Sequence, residues 1–168
     1  MLNDLDGDFR IRFMTSHPKD CTKELIETMA ECDKVATHLH LPFQSGNNRV
    51  LRAMNRGYTR EKYLELINYA KQLMGDELSI TSDIIVGFPG ETYEEFSDTV
   101  SLVKEIKATS LFTFIYSPRV GTPAAKMDDP VSYDEKSKWL RELLAVQEQI
   151  SAEQMALHKG KTFKCFVF

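Results

Sequence analysis

The run Ser82-Asp83-Ile84-Ile85-Val86-Gly87-Phe88-Pro89-Gly90-Glu91 constrains this chain more than any other stretch. An apolar strand enters a rigid Gly-Phe-Pro-Gly turn, and a helix start follows at once. Ile84, Ile85 and Val86 favour a pleated, enclosed position. Gly87 and Gly90 permit backbone conformations and close approaches that a side chain would block. Thr92 and Glu95 have the spacing of a capping box, so a helix is predicted to begin there with its free N–H groups aimed at the loop. Such donors suit an anionic or polar ligand.

The chain has 168 residues, 42% of them apolar, enough for one compact domain. A formal charge of -4 argues against this segment supplying the electrostatic grip on a nucleic acid. No apolar run approaches the roughly 20 residues that cross a bilayer, and the acidic start Met1-Leu2-Asn3-Asp4-Leu5-Asp6 lacks a signal-peptide core, so a cytoplasmic protein with no membrane partner is expected. Cys21, Cys32 and Cys165 form neither a Cys-x-x-Cys pair nor a cluster. They read as reduced core residues rather than metal ligands.

Along the chain, an apolar run near residues 9–15 precedes a helical pattern over about 20–31, with Leu25, Met29 and Cys32 on one face. A second run over 35–43 leads through Gln44-Ser45-Gly46 to a helix carrying Val50, Leu51 and Met54. Gly57 stops that helix. A longer helix from Thr59 has Tyr63, Ile67, Ala70 and Met74 on a stripe and ends at Gly75. The third strand, 78–86, feeds the helix of Phe96, Val100, Val103 and Ile106. The fourth, 111–116, enters the Pro/Gly-punctuated loop Ser117-Pro118-Arg119-Val120-Gly121-Thr122-Pro123. Ser132 and Glu135 then cap a helix of about 27 residues bearing Trp139, Leu143, Val146 and Ile150. From Thr162 to Phe168 a further strand is predicted.

Strand and helix alternation over about four units implies an α/β fold with parallel strands, and strands this apolar suggest a sheet covered on both faces. Every loop with special residues follows a strand, as at the active rim of a barrel. Four units do not close an eight-stranded barrel, so a partial (βα) barrel is expected.

Five blocks carry a family resemblance: residues 10–18 (RIRFMTSHP), 38–46 (HLHLPFQSG), 54–60 (MNRGYTR), 83–91 and 112–125. In this order and spacing they resemble the later two thirds of the radical S-adenosylmethionine domain of methylthiotransferases, most of all the branch that acts on tRNA. The resemblance implies that residues 1–160 are the last four units of a six-stranded partial barrel. Residues 161–168 would begin a small RNA-binding TRAM-like domain. It also implies S-adenosylmethionine as cofactor and two 4Fe-4S clusters whose cysteine ligands lie outside this chain, so no catalytic or metal-binding residue is expected within it. The activity implied is addition of a methylthio group to C2 of N6-isopentenyladenosine beside the anticodon of tRNA, after the cofactor is cleaved to a 5'-deoxyadenosyl radical. This stretch alone is expected to be inactive, and the strand edge left by absent units to pair two copies.

The resemblance implies cofactor-binding roles for Gln44, Ser45, Asp83, Gly87, Phe88, Pro89, Glu91 and Arg119. Gly87, Phe88, Pro89 and Glu91 match the loop that flanks the adenine, although Glu91 could instead favour the positive end of the next helix. Gln44 and Ser45 suit hydroxyls, or serve a capped turn. Asp83, in an apolar strand, needs a partner or an open cavity. Arg119 suits a carboxylate or phosphate, or makes a surface ion pair. His17 reads as a loop-stabilising residue, and His38 with His40 lacks the third ligand of a metal site. Other readings stay open: a sibling enzyme acting on a ribosomal-protein aspartate or on threonylcarbamoyladenosine, and a barrel for a phosphorylated metabolite, which the lack of a basic residue near Gly87 disfavours.

Overall fold

The structure is a computed structural model and describes residues 2–14 and 17–163. Its centre is a parallel sheet in the order β1 (His38–His40), β2 (Ser79–Val86), β3 (Ser110–Ile115). Helix α1 (Lys23–Glu31) precedes β1. Helices α2 (Asn48–Ala53) and α3 (Arg60–Met74) carry the chain from β1 to β2, α4 (Tyr93–Ile106) carries it to β3, and α5 (Tyr133–Ala156) follows. Over residues 9–14 the apolar run forms no strand. Ile11 alone makes a parallel bridge, to Val35, so the first unit is reduced to one rung. The predicted strand from Thr162 to Phe168 falls largely outside the described residues.

Helix starts follow the predicted chemistry. Thr22, Thr59, Thr92 and Ser132 each accept a backbone N–H of the first turn. Thr92 and Glu95 complete a reciprocal capping box. Gly75 ends α3 at a φ of 59°. Helix α5 has 24 residues, three short of the sequence expectation, because it stops at Leu157.

Strand β1 is short for a covalent reason. Pro42 has no N–H to give the ladder, so regular pairing stops after His40 and resumes as a bridge between Gln44 and Ile84. The gap is filled by side chains from the helix side. Ser82 Oγ donates to the Leu41 carbonyl at 2.9 Å and accepts the Phe43 N–H at 3.0 Å. The Tyr63 hydroxyl donates to the same Leu41 carbonyl and the Tyr58 hydroxyl to the Phe43 carbonyl, each at 2.9 Å. Burial pushes the Tyr58 phenol up to about 12, so it stays a donor at neutral pH.

The helices cover one face of the sheet only, contrary to the expectation from strand hydrophobicity. Ile80, Ser82, Ile84 and Val86 of β2 are buried with Phe96, Leu102, Val103, Leu143 and other helix residues. The opposite face carries Thr81, Asp83 and Ile85, and beside them Phe112 and Phe114 of β3, which are 53% and 57% exposed. Period-two alternation places these residues together on the open, inner side.

Gly46 is where the loop after β1 meets α4. A Cβ there would lie 2.5 Å from the Asp98 carbonyl oxygen and 2.6 Å from Thr99 Cα, both backbone atoms. Gly46→Ala is therefore expected to destabilise the chain by about 1–3 kcal/mol. Gly57→Ala, where a Cβ meets nothing within 4 Å, should change stability by less than ~1 kcal/mol. Denaturant midpoints at constant m-value check both.

Candidate functional site

A cavity of about 520 Å³ opens at the C-terminal ends of the strands, on the inner side of the sheet. Its floor is Asp83 and Ile85 of β2 with Phe114 and Ile115 of β3. Gln44 and Arg56 stand on one side, and Tyr116, Arg119 and Thr122 on the other.

Two residues reach the cavity through left-handed backbone. Gln44 has φ 66°, a conformation that costs a non-glycine residue about 1 kcal/mol or more. It is held there because its N–H donates to the Asp83 carbonyl at 2.9 Å and its own carbonyl accepts the Ile85 N–H at 3.0 Å. Asn55, at φ 58°, ends α2, and the next residue is Arg56. The Arg56 N–H closes on the Leu51 carbonyl at 2.9 Å, turning the guanidinium toward the cavity. Among the described residues the buried Nε of Arg56 and the buried hydroxyl of Tyr116 have no hydrogen-bond partner. Both belong to cavity-lining residues, and an unpaired buried donor is costly unless a ligand or water satisfies it.

Asp83 faces the open side of the sheet, which answers how a carboxylate fits this strand. His40 Nε2 is 3.6 Å from Asp83 Oδ1, and His40 Nδ1 and His38 Nε2 both lie 2.9 Å from Thr81 Oγ1. The two histidines thus share a hydroxyl, and among the described residues no group of three or more His, Cys, Asp or Glu side chains is placed to hold a metal ion. Burial first, then the Arg12 charge, lowers the His38 pKa. His17 holds its loop: its Nδ1 accepts the Lys19 N–H at 3.2 Å, and burial and the Arg56 charge lower its pKa.

The remaining predicted residues do not line the cavity. Ser45 is fully buried, with its hydroxyl 3.4 Å from Thr99 Oγ1 and 3.2 Å from the Asn47 N–H it accepts. It organises the turn that starts α2. Gly87, Phe88, Pro89 and Glu91 form the wall behind Tyr116, whose ring meets Phe88 edge-on at 5.3 Å. Glu91 closes this turn from inside, where Oε2 accepts the Gly87 N–H at 2.6 Å and the Phe88 N–H at 3.2 Å. Arg49 of α2 clamps the same turn by donating to the Gly90 carbonyl at 2.6 Å and pairing with Glu95.

Spacing along the chain missed Lys136. This lysine lies 49 positions from Gly87 in sequence, yet a Cβ on Gly87 would be 2.4 Å from its Cδ. A basic residue therefore does stand beside the turn, supplied by α5, with its ammonium engaged by the Asp129 carboxylate. Arg56 and Tyr116 also lay unremarked, inside segments 54–60 and 112–125. A helix-ending Asn before an Arg was the available signal for the first.

The Radical SAM superfamily model matches residues 1–103. The tRNA-2-methylthio-N(6)-dimethylallyladenosine synthase of Clostridium botulinum (strain Okra / Type B1) is 50% identical over 160 residues, covering 95% of this chain and 35% of that protein. The synthase of the same name from Alkaliphilus oremlandii (strain OhILAs) is 53% identical over 166 residues, 99% of this chain and 35% of that protein. This chain thus spans about a third of the length of these relatives. Among solved structures, the radical SAM enzyme coproporphyrinogen III oxidase of Escherichia coli matches with a TM-score of 0.66 and 25% identity, covering 80% of this chain and 31% of that chain.

Burial pushes the Glu91 carboxyl up to about 7, against its two backbone hydrogen bonds and the nearby Arg49 charge. A raised folded pKa means that the native state holds this proton more tightly, so the stabilisation is complete below the unfolded value of 4.5 and is lost as pH rises through about 7. Relative to Glu91→Gln, the wild type should lose on the order of 2 kcal/mol between pH 4.5 and 8. Paired denaturation curves across that range measure it.

Proposed function

The chain belongs to the radical SAM superfamily, and from that premise we propose that it is the nucleoside-holding wall of a tRNA methylthiotransferase, which adds a methylthio group to C2 of N6-isopentenyladenosine beside the anticodon. Identity of about half to synthases so named supports the branch. The observation that carries the reading is the cavity at the strand ends, where the buried Arg56 Nε and Tyr116 hydroxyl lack hydrogen-bond partners among the described residues.

S-adenosylmethionine fits the donor set. The Asp83 carboxylate only accepts hydrogen bonds and the Gln44 amide both donates and accepts, so together they suit a ribose diol. The Arg56 guanidinium suits the ligand's carboxylate, and Arg119 at the exposed rim suits a carboxylate or a phosphate of the RNA. The turn at 87–91, held by Glu91, backs Tyr116 through Phe88, and the Tyr116 ring offers a flank for adenine. Ile85 and Phe114 give the floor an apolar surface that a bound ligand can cover. When bound beside a reducing iron–sulfur cluster, S-adenosylmethionine supplies the radical and methyl chemistry. The described residues contain no ligand set for such a cluster. No helix of the described residues is long and apolar enough to cross a membrane, and the cytoplasm, where tRNA is found, is the proposed location.

Titrating S-adenosylhomocysteine into the chain by calorimetry should show binding that weakens about tenfold or more in Asp83→Asn and Arg56→Met, since each good charge-assisted hydrogen bond contributes about 1.5–3 kcal/mol. Unchanged affinity in both would overturn the site. In the source organism, deleting the gene should remove 2-methylthio-N6-isopentenyladenosine from tRNA and leave its unthiolated precursor. An unchanged nucleoside profile would overturn the substrate.

A further inference from the structure

Lys136 is a costly residue where it stands. It lies in the first turn of α5, the end of a helix that disfavours cations, and it is only 4% exposed. Its stem packs on Gly87 at the end of β2. Its ammonium lies 5.8 Å from the centre of the Tyr116 ring and is 2.7 and 2.5 Å from the two carboxylate oxygens of Asp129. Buried pairs of this kind contribute little net stability compared with apolar packing, and their better-attested use is to select one arrangement.

The arrangement at stake is the strap of residues 117–131, which arches from the end of β3 to α5 and puts Ser117, Arg119, Thr122 and Ala124 against the cavity. Its own hydrogen bonds are internal: the Thr122 N–H and hydroxyl both donate to the Arg119 carbonyl, and Ala125 and Met127 close a 3-10 turn. Among the described residues, the Lys136–Asp129 pair is the one polar link from this strap to the rest of the chain. Its other tether is apolar, through Val131.

We infer that Lys136 is a positioning residue: by pairing with Asp129 it latches the strap over the cavity and sets where Arg119 and Thr122 meet the ligand. Its consequence for ligand binding rests on the proposed function above, whereas the latch itself does not. The same ammonium sits behind Tyr116, so one cation registers the strap, the end of β3 and the turn after β2 against each other.

Lys136→Met tests this, since it keeps the stem on Gly87, removes the charge and leaves Asp129 free to reach water. Amide hydrogen exchange should speed up about tenfold or more across 117–131, with β2 and α4 unchanged, and the affinity for S-adenosylhomocysteine should fall about fivefold or more. Asp129→Ala should reproduce the exchange pattern, whatever it does to global stability. Strap exchange that stays at the wild-type rate in both variants refutes the latch. Faster exchange with unchanged affinity refutes its positioning role. A wild-type chain that binds no S-adenosylhomocysteine refutes the proposed cavity ligand instead, and the exchange rates then decide the latch alone.

Discussion

Strand β2 is hydrogen-bonded on both sides, to β1 and the Gln44 bridge on one and to β3 along Thr81–Val86 on the other. Because its side chains alternate, one set of residues is committed to the helices and the other to the open face. Sliding β2 by one residue would put Asp83 into the core and Ile84 into the cavity, so the register is strongly specified. The site inherits its geometry from that register. Asp83 anchors Gln44 through its carbonyl, Val86 receives the Tyr116 N–H at 2.9 Å, and the strand ends in the turn that Glu91 closes.

Several departures from ideal structure gather at the C-terminal end of this strand. A left-handed Gln44, a left-handed Asn55 before Arg56, a buried lysine in a first helical turn and two unpaired polar atoms all border one cavity or its wall. The helices are capped at their starts, and Phe96 stacks on Trp139 at 5.4 Å in an apolar core. A left-handed Lys107 and the unpaired Gln147 Oε1 and His158 Nδ1 lie away from this site, so it is the gathering of several such features around one cavity that marks a binding site.

Helix starts, the β2 strand and its turn were legible in the sequence because each rests on chemistry local to a few residues. Thr92 with Glu95 is an example, and Gly75 marks a helix end as plainly. The Asp83 and Gln44 positions were legible through their blocks of resemblance. Ser45 was read as a group for a ligand or for a capped turn, and its hydroxyl accepts the Asn47 N–H of that turn and faces Thr99, a partner 54 residues away. Glu91 was assigned to the cofactor or to the helix dipole and instead ties the turn's own N–H groups. Lys136 could not be placed by spacing at all, since only the docking of α5 brings it under Gly87. The covered second face was expected from strand hydrophobicity, yet Phe112 and Phe114 line an open interior, and a strand pattern alone does not distinguish a barrel lumen from a helix-covered face.

The central claim is that the loops at the strand ends converge on one nucleoside ligand. Amide chemical-shift mapping of the labelled chain during addition of S-adenosylhomocysteine tests it most directly. The account predicts shifts at Gln44, Asp83, Gly87, Phe88 and Tyr116 and silence at Lys71 and Gly75, which line a separate cavity at the opposite end of the strands. Shifts confined to that opposite end, or none at saturating ligand, would contradict it.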